Sequence, residues 1–517
     1  MKRKTILICT LSVVVVVLIL KLTTTLLVEP WLENRLESLF NEKSEKYQIT
    51  VGPIHLRPLF SEVKLDSILL MSKDMKDKPL TARVTTVRIQ GVNLFRLLFQ
   101  KSIAIRKVSV SEIRIFGQLP HSEKKALPTI MPMNLRIGRI VIKKIDFGLE
   151  ELELATAYSL QSGVLNMHDL KIDKRDTLSI RLLKRFDFKA DGFQTVTKDS
   201  MYTYRIKGID YRFQPGKLSI KEFVIHPNYS KKRFAELHHF ATDRMDGRLS
   251  NIVAGGFSVG DFLKSKRLGS SGIEIDSLNL IVYRDNRKVK RHVVKPVFQE
   301  MMYNCPVSLN LDSIRVKNGD ITYVEQVPKA NHEGSICFNQ IHATLYNVTN
   351  DTLYIKRKAS LILKGDALLM GKGRFHVLLD AKLFDRLNTF TVKANLSHIP
   401  ASSLNPLLRN NMFMKIASGE IESMTFFFTA NDLNAKGNMY LLYSHLKIAV
   451  MNKKTDKSSA LSERFLSLVL NSKILDSNPK PGKKVRIGKI EYDRDPEKFL
   501  FNYSVKSIVS GITTSIL

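Results

Sequence analysis

The stretch Leu309–Glu325, LNLDSIRVKNGDITYVE, alternates apolar and polar residues with a period of two. That period belongs to extended chain with one dry and one wet face. Leu309 and Leu311 form one apolar stroke, and Ile314 and Val316 a second. The polar pair Asp312-Ser313 between them shifts the phase by one residue. A β-bulge or bend at that pair would return both strokes to the same face. After Lys317, Asn318-Gly319 suits a tight hairpin turn into a new strand at Ile321 and Tyr323.

The same eight-residue template has apolar residues at positions 1, 3, 6 and 8 and a polar or glycine doublet in the middle. It starts at Val63, Ala82, Ile103, Leu135, Leu165, Leu218, Ile273, Leu309, Ile336 and Val485. At 44% apolar residues, chance alone would produce roughly six copies. The recurrence gains force from the turn signals between copies and from the scarcity of long helical periodicities. A large sheet of similar strands is the expected body of the protein.

Before that body lie Lys2-Arg3-Lys4 and the apolar runs Ile6–Leu20 and Leu22–Val28, interrupted by Lys21. Residues 1–28 are long enough to span a bilayer, with Lys21 snorkelling. A cleaved signal peptide is the alternative, although no clear small-x-small site precedes Glu29. The basic start favours a cytoplasmic N-terminus and an exported body. Glu29-Pro30 then opens a helix in which Trp31, Leu32, Leu36, Leu39 and Phe40 recur at helical spacing. Residues 29–48 read as an amphipathic linker. It either lies near the outer surface of the membrane or caps the first strands of the sheet.

One span, a short helix and then strands with the phrase SIAIRKVSVSEIRIF (Ser102–Phe116) resemble the AsmA-like family of bacterial envelope proteins, whose large members are the TamB-like transporters. Leu-Asn-Pro-Leu-Leu (404–408), Ile-Ala-Ser-Gly-Glu-Ile (416–421) and Tyr-Ser-His-Leu-Lys-Ile (443–448) look like the C-terminal module of that family. The resemblance implies a single-pass inner-membrane protein facing the periplasm. It implies a mainly β fold: an N-terminal transmembrane helix, then a long curved, repetitive antiparallel β-sheet forming a groove, with a few short helices. It also implies a part in phospholipid transport or outer-membrane assembly. The expected domains are the anchor 1–28, the linker helix 29–48, a β-groove body 49–400, the AsmA-like module 401–450 with a short helix and four strands, and a C-terminal strand and amphipathic helices over 451–517. The phrase I-x-x-G-x-I at Val316–Ile321 and Ile416–Ile421 is expected to be strand, glycine turn, strand.

Motifs for chemistry are missing. There is no GxSxG elbow, HExxH, Walker loop or Cys-x-x-Cys, and Gly371-Lys372-Gly373 is too short to cradle phosphate. His238-His239 would point to different faces of a helix. No catalytic residue, cofactor or metal site is expected, and the chain does not read as an enzyme. Cys305 and Cys337 could pair in an oxidising compartment or remain free thiols. The balance of 81 Lys and Arg against 49 Asp and Glu, net +32, draws the chain to anionic lipid or polymers. No finger spacing or aromatic-basic motif points to nucleic acid.

A sheet with one apolar face must cover it, and the helical candidates total only about 70–90 residues by pattern. Either two sheets face each other or one curved sheet wraps an apolar groove. In a groove, acyl chains of membrane phospholipid would lie on aliphatic side chains while headgroups stay near Lys and Arg. The candidate groove-lining residues are Ile273, Ile275, Leu278, Leu280, Leu309, Leu311, Ile314 and Val316. An envelope protein is a possible further partner. The alternative is a non-catalytic periplasmic scaffold that holds anionic glycan or protein. At the C-terminus Phe501, Val505, Ile508, Ile512 and Ile516 recur at helical spacing, as a closing helix or one that meets a membrane or partner.

Overall fold

In the computed structural model the polar doublets mark where long strands bend. The structure describes residues 17–18, 21–44, 46–57, 61–73, 79–93, 102–119, 134–151, 156–172, 185–290, 292–351, 360–452 and 461–517. The chain is mainly β, 58% strand and 19% helix, with one large, mostly antiparallel sheet. It divides into two units, Met1–Ser200 with Tyr204–Pro215, and Met201–Thr203 with Gly216–Leu517. The anchor expected over 1–28 falls largely on residues outside those described. Among the described residues no helix is long and apolar enough to cross a membrane.

In the first unit a π-helical turn, Thr24–Val28, runs straight into helix α1 (Glu29–Lys43). The strands are β1 (Tyr47–Val51), β2 (Ile54–Arg57), β3 (Glu62–Leu65), β4 (Ile68–Ser72), β5 (Thr81–Val84), β6 (Val87–Val92), β7 (Ser102–Val110), β8 (Ile113–Leu119), β9 (Asn134–Glu151), β10 (Thr156–Ile172), β11 (Phe186–Val196) and β12 (Tyr202–Arg212). The first eight are halves of four long strands. β1 and β2 pair with β4 and β3, those with β5 and β6, and those in turn with β8 and β7. The breaks fall at Gly52-Pro53, Asp66-Ser67, Thr85-Thr86 and Ser111-Glu112. β9 then lies parallel to both β7 and β8, reached by a connection long enough for such a crossover.

The second unit holds β13 (Lys217–Pro227), α2 (Lys231–Leu237), β14 (Asp243–Gly255), α3 (Val259–Ser265), β15 (Arg267–Ser270), β16 (Gly272–Asp285), α4 (Phe298–Tyr303), β17 (Ser308–Val316), β18 (Gly319–Gln326), β19 (Gly334–Thr349), β20 (Ser360–Leu369), β21 (Gly373–Lys382), β22 (Phe390–Leu396), β23 (Ile399–Pro400), α5 (Asn405–Met412), β24 (Met414–Ala430), β25 (Asn434–Val450), α6 (Leu461–Lys473), β26 (Ile487–Asp493) and α7 (Leu500–Ile516).

Two expectations are corrected here. Leu309–Glu325 is not a hairpin. β17 and β18 run on in the same direction. Both pair antiparallel with β19 and parallel with β16. Lys317-Asn318 is a break within one bent strand, and Gly319 resumes it. Likewise residues 414–450 form two long strands rather than four, because Gly419 (φ +130°) lies in an irregular stretch of β24 and makes no turn. A glycine between two alternating runs has the same sequence signature whether the chain reverses or only kinks.

The kinks have a common construction. Opposite the Asp312-Ser313 doublet, Asn347 adopts φ +60° and the β17–β19 ladder skips a pair, from Leu311↔Val348 to Ser313↔Tyr346. Leu311 and Ile314 on either side nonetheless join one hydrophobic cluster, as the phase argument requires. Two other kinks are fastened by a carboxylate from the neighbouring strand. Asp146 accepts from the backbone N–H of Ser162 (φ +52°) at 2.7 Å, and Asp320 from that of Gln340 (φ +51°) at 3.2 Å. The ladder gives up those N–H groups at the bulge, so the side chain supplies the acceptor.

Candidate functional site

The feature that could act on another molecule is the apolar face, and cross-strand register builds it. Residues directly opposite on neighbouring strands point to the same side. In the first unit Leu56, Val63, Ile89, Val108, Ile140, Met167 and Phe186 are successive partners across seven strands. Ile54, Leu65, Val87, Val110, Ile142, Leu165 and Phe188 form a second such row. Six inter-strand steps give each row a length of ~29 Å, about twice the ~15 Å of one leaflet's hydrocarbon. One acyl chain fits along a row with room to move. The start of the face is closed, since Val51, Ile54 and Leu65 are buried and α1 lays Leu32 over them. Further along, Val87, Ile89, Val108, Ile140, Ile142 and Leu165 are half-buried, whereas Val110, Met167 and Phe186 are buried, and no described helix packs across β7–β10.

The eight candidate residues from the sequence lie in the second unit, on strands that do adjoin. Ile273 is opposite Ile314, and Ile275 opposite Val316. Leu309 is opposite Leu268, and Leu280 opposite Ile321. Leu311 (4% exposed) and Ile275 (7%) are buried. Ile273, Leu278, Leu280, Leu309, Ile314 and Val316 are half-buried. The row Ile273, Ile314, Leu345, Leu363, Leu379, Val392, Phe428 leads from them into a sealed core. Leu311 belongs to that core, with Ile273 and Ile314 packed against it, together with Val297 and Met302 at α4 and Leu500 and Tyr503 of α7. The first-unit rows were missed as site residues, although five template copies, from Val63 to Leu165, mark them.

The sealed end is aromatic. Phe390 meets Phe428 and Tyr503 edge-on, with centroids 6.5 and 6.2 Å apart. Burial pushes the Tyr503 and Tyr443 hydroxyls up to about 12. The buried stripe of α7 is Leu500, Tyr503, Ser507, Gly511 and Ser515. Phe501 of the expected stripe is exposed, and Ile508, Ile512 and Ile516 flank the core. Small residues face the sheet because the helix lies so close. A Cβ on Gly488 would overlap Ser515 Oγ and the Gly511 carbonyl.

Three helices close strand backbones in the same way. Glu29, Glu33 and Glu37 of α1 accept from the N–H groups of Leu56, Ile54 and Val51 at 2.6, 2.6 and 2.5 Å, and Asn41 both accepts from and donates to Ile49. Ser467 and Asn471 of α6 accept from Val450 and Ile448. Ser510 of α7 accepts from Glu491, and Thr514 donates to the Lys489 carbonyl. Four helical residues rise ~6.0 Å and two strand residues ~6.7 Å, so every fourth helix side chain meets every second strand residue, with one step of three where Gly52-Pro53 separates β1 from β2.

The polar face carries directly opposed like charges: Arg83–Arg114, Lys107–Arg139 and Arg136–Lys171. Of these, Arg114 has Glu112 at 2.9 Å and Lys171 has Asp169 at 3.1 Å. Lys317 lies 2.9 Å from Asp276 and 3.2 Å from Glu274, which hold its ammonium above the usual lysine range. Among the described residues Glu325 is the one carboxyl whose pKa is raised, by burial beside Tyr323. Asn411 Nδ2 donates to it at 3.1 Å. Cys305 and Cys337 are both free. No group of three or more His, Cys, Asp or Glu among the described residues could hold a metal ion.

No protein-family model matches this chain, and no curated protein matches it. The AsmA-like resemblance thus rests on the sequence pattern alone.

Proposed function

We propose that this is an inner-membrane-anchored periplasmic protein that carries phospholipid on an apolar β-groove, in lipid transport or outer-membrane assembly. The observation that supports it best is the pair of apolar rows in the first unit, half-buried from Val87 and Ile89 to Ile140 and Leu165 except at Val110, and long enough for an acyl chain. Such a surface is unfavourable in water, at about 25 cal/mol per Å² of exposed apolar area, and acyl chains are a guest that relieves it without a specific polar contact. Transport along it needs no catalytic group. The test is to extract lipid from the purified full chain and identify it by mass spectrometry, then repeat with Ile140→Asp. Phospholipid that co-purifies with the parent and falls several-fold in a folded Ile140→Asp variant supports the carrier. A lipid-free parent argues against it.

A second reading has its own observation. Opposed cations at Lys107–Arg139 repel across the strands, with exposed Arg136 three residues before Arg139 on β9, and would be relieved by an anionic glycan on the polar face. Salt-dependent binding to such a glycan, lost in Arg136→Ala with Arg139→Ala, would favour the scaffold.

A further inference from the structure

We infer, on the footing of the membrane attachment proposed above, that α1 is a rigid strut between bilayer and sheet, with Trp31 in the lipid headgroup layer.

Three observations converge on it. First, the helix is turned the unusual way round. Its stripe of Glu29, Glu33, Glu37 and Asn41 faces the protein, bonded along β1 and β2. Leu32 packs inward beside that stripe, but Trp31, and Leu22, Leu26 and Leu27 in the helical turns just before α1, are 61–66% exposed. A surface helix of a soluble domain shows the opposite pattern. Second, the exposed residues change character along the axis. Before the sheet edge the apolar ones are Leu22, Leu26 and Leu27, interleaved with exposed Lys21, Thr23, Thr25 and Pro30. Beyond Trp31 they are Asn34, Arg35 and Glu42, with Leu36 and Leu39 less exposed at 43% and 37%. Apolar exposure thus falls past Trp31 while charged residues enter, as expected where a helix leaves hydrocarbon for water. Third, Trp31 is the single tryptophan of the chain and sits at that boundary, where an indole finds both an apolar body and a hydrogen-bonding layer.

The geometry is consistent in depth. Residues 21–43 are helical throughout. Side chains tilt toward the helix N-terminus, so the indole leans back over Leu27, toward the membrane. Lys21 lies ten residues, ~15 Å, before Trp31. With Trp31 in a headgroup layer about 6 Å thick, Lys21 starts about 9 Å inside the hydrocarbon, and its stem must turn against the N-terminal tilt to snorkel toward the phosphates. Glu29 begins the bonded stripe two residues before Trp31, so the sheet edge starts at the lipid surface with no flexible linker between.

The single tryptophan makes the test direct. The full chain is reconstituted in phosphatidylcholine nanodiscs carrying a nitroxide on the headgroup, near the glycerol end of the acyl chain, or near its methyl end. Headgroup nitroxide should quench the emission strongest, about twofold more than the methyl-end label. Quenching by aqueous iodide alone, with none from any lipid-borne label, would overturn the placement. Alkaline carbonate washing of the same membranes separates the two levels. A chain that washes off defeats the attachment itself, whereas a retained chain with unquenched Trp31 defeats only the strut. Rigidity is read by amide exchange in Glu29→Ala/Glu33→Ala/Glu37→Ala. Exchange at Val51, Ile54 and Leu56 should rise about tenfold and return most of the way in the triple Gln variant, which keeps the acceptor oxygens. Unchanged protection in the Ala variant would overturn the docking.

Discussion

The row Val63–Ile89–Val108–Ile140–Met167–Phe186 in the first unit and the row Ile273–Ile314–Leu345–Leu363–Leu379–Val392–Phe428 in the second are built alike. Both are aliphatic partners in register across bent strands. They differ in what lies over them. The second is capped by Val297, Met302, Leu500 and Tyr503 at α4 and α7, and ends at fully buried Phe428. Beyond the reach of Leu32 the first has no helical cover among the described residues. The strand template therefore specifies an apolar face, and the few helices decide which part of that face is sealed as core.

The largest effect should separate the two rows. Phe428→Ala removes a buried ring from a sealed core and should cost about 3–5 kcal/mol. Ile140→Ala trims a half-buried face and should cost under about 1.5 kcal/mol. Urea unfolding of both variants checks this, and equal costs would break the distinction. Next, Gly488→Ala forces α7 off β26 and should cost about 2–3 kcal/mol through overpacking. It should also raise exchange at Glu491, whose N–H bonds Ser510. The kinks are common to both units, so Asp320→Ala should cost about 1–2 kcal/mol by freeing the Gln340 N–H, and Asp146→Ala a similar amount.

The smallest effect is pH-dependent. Burial raises the folded-state pKa of Glu325 above its unfolded value. Between those values the folded chain holds more protons than the unfolded one, so stability falls as pH rises through that window. Glu325→Gln should therefore raise the melting temperature at pH 7 and lose that advantage near pH 4, in calorimetric scans at both values.

Alternation made the β class and the single apolar face legible in the sequence, and the polar doublets marked the bends correctly at Asp312-Ser313, Asp66-Ser67 and Thr85-Thr86. Direction was not legible. Asn318-Gly319 and Gly419 kink a strand and do not reverse it, and what decides this is pairing along the whole of the following strand, β19 or β25, which the residues around the glycine do not encode. Nor was cover. Nothing local says that Val297 and Met302 lie over Leu311. The Glu29, Glu33, Glu37 stripe resembled a solvated helix face until an edge strand stood beside it. Ser507, Gly511 and Ser515 are buried through close approach to Gly488, which an apolar moment does not register.

The most direct test of an open first-unit groove is a photo-crosslinking amino acid placed at Ile140 and, separately, at Phe428 in cells with radiolabelled phospholipid. The account predicts a labelled lipid adduct at position 140 and none at 428. No adduct at either position, or equal adducts at both, would contradict it.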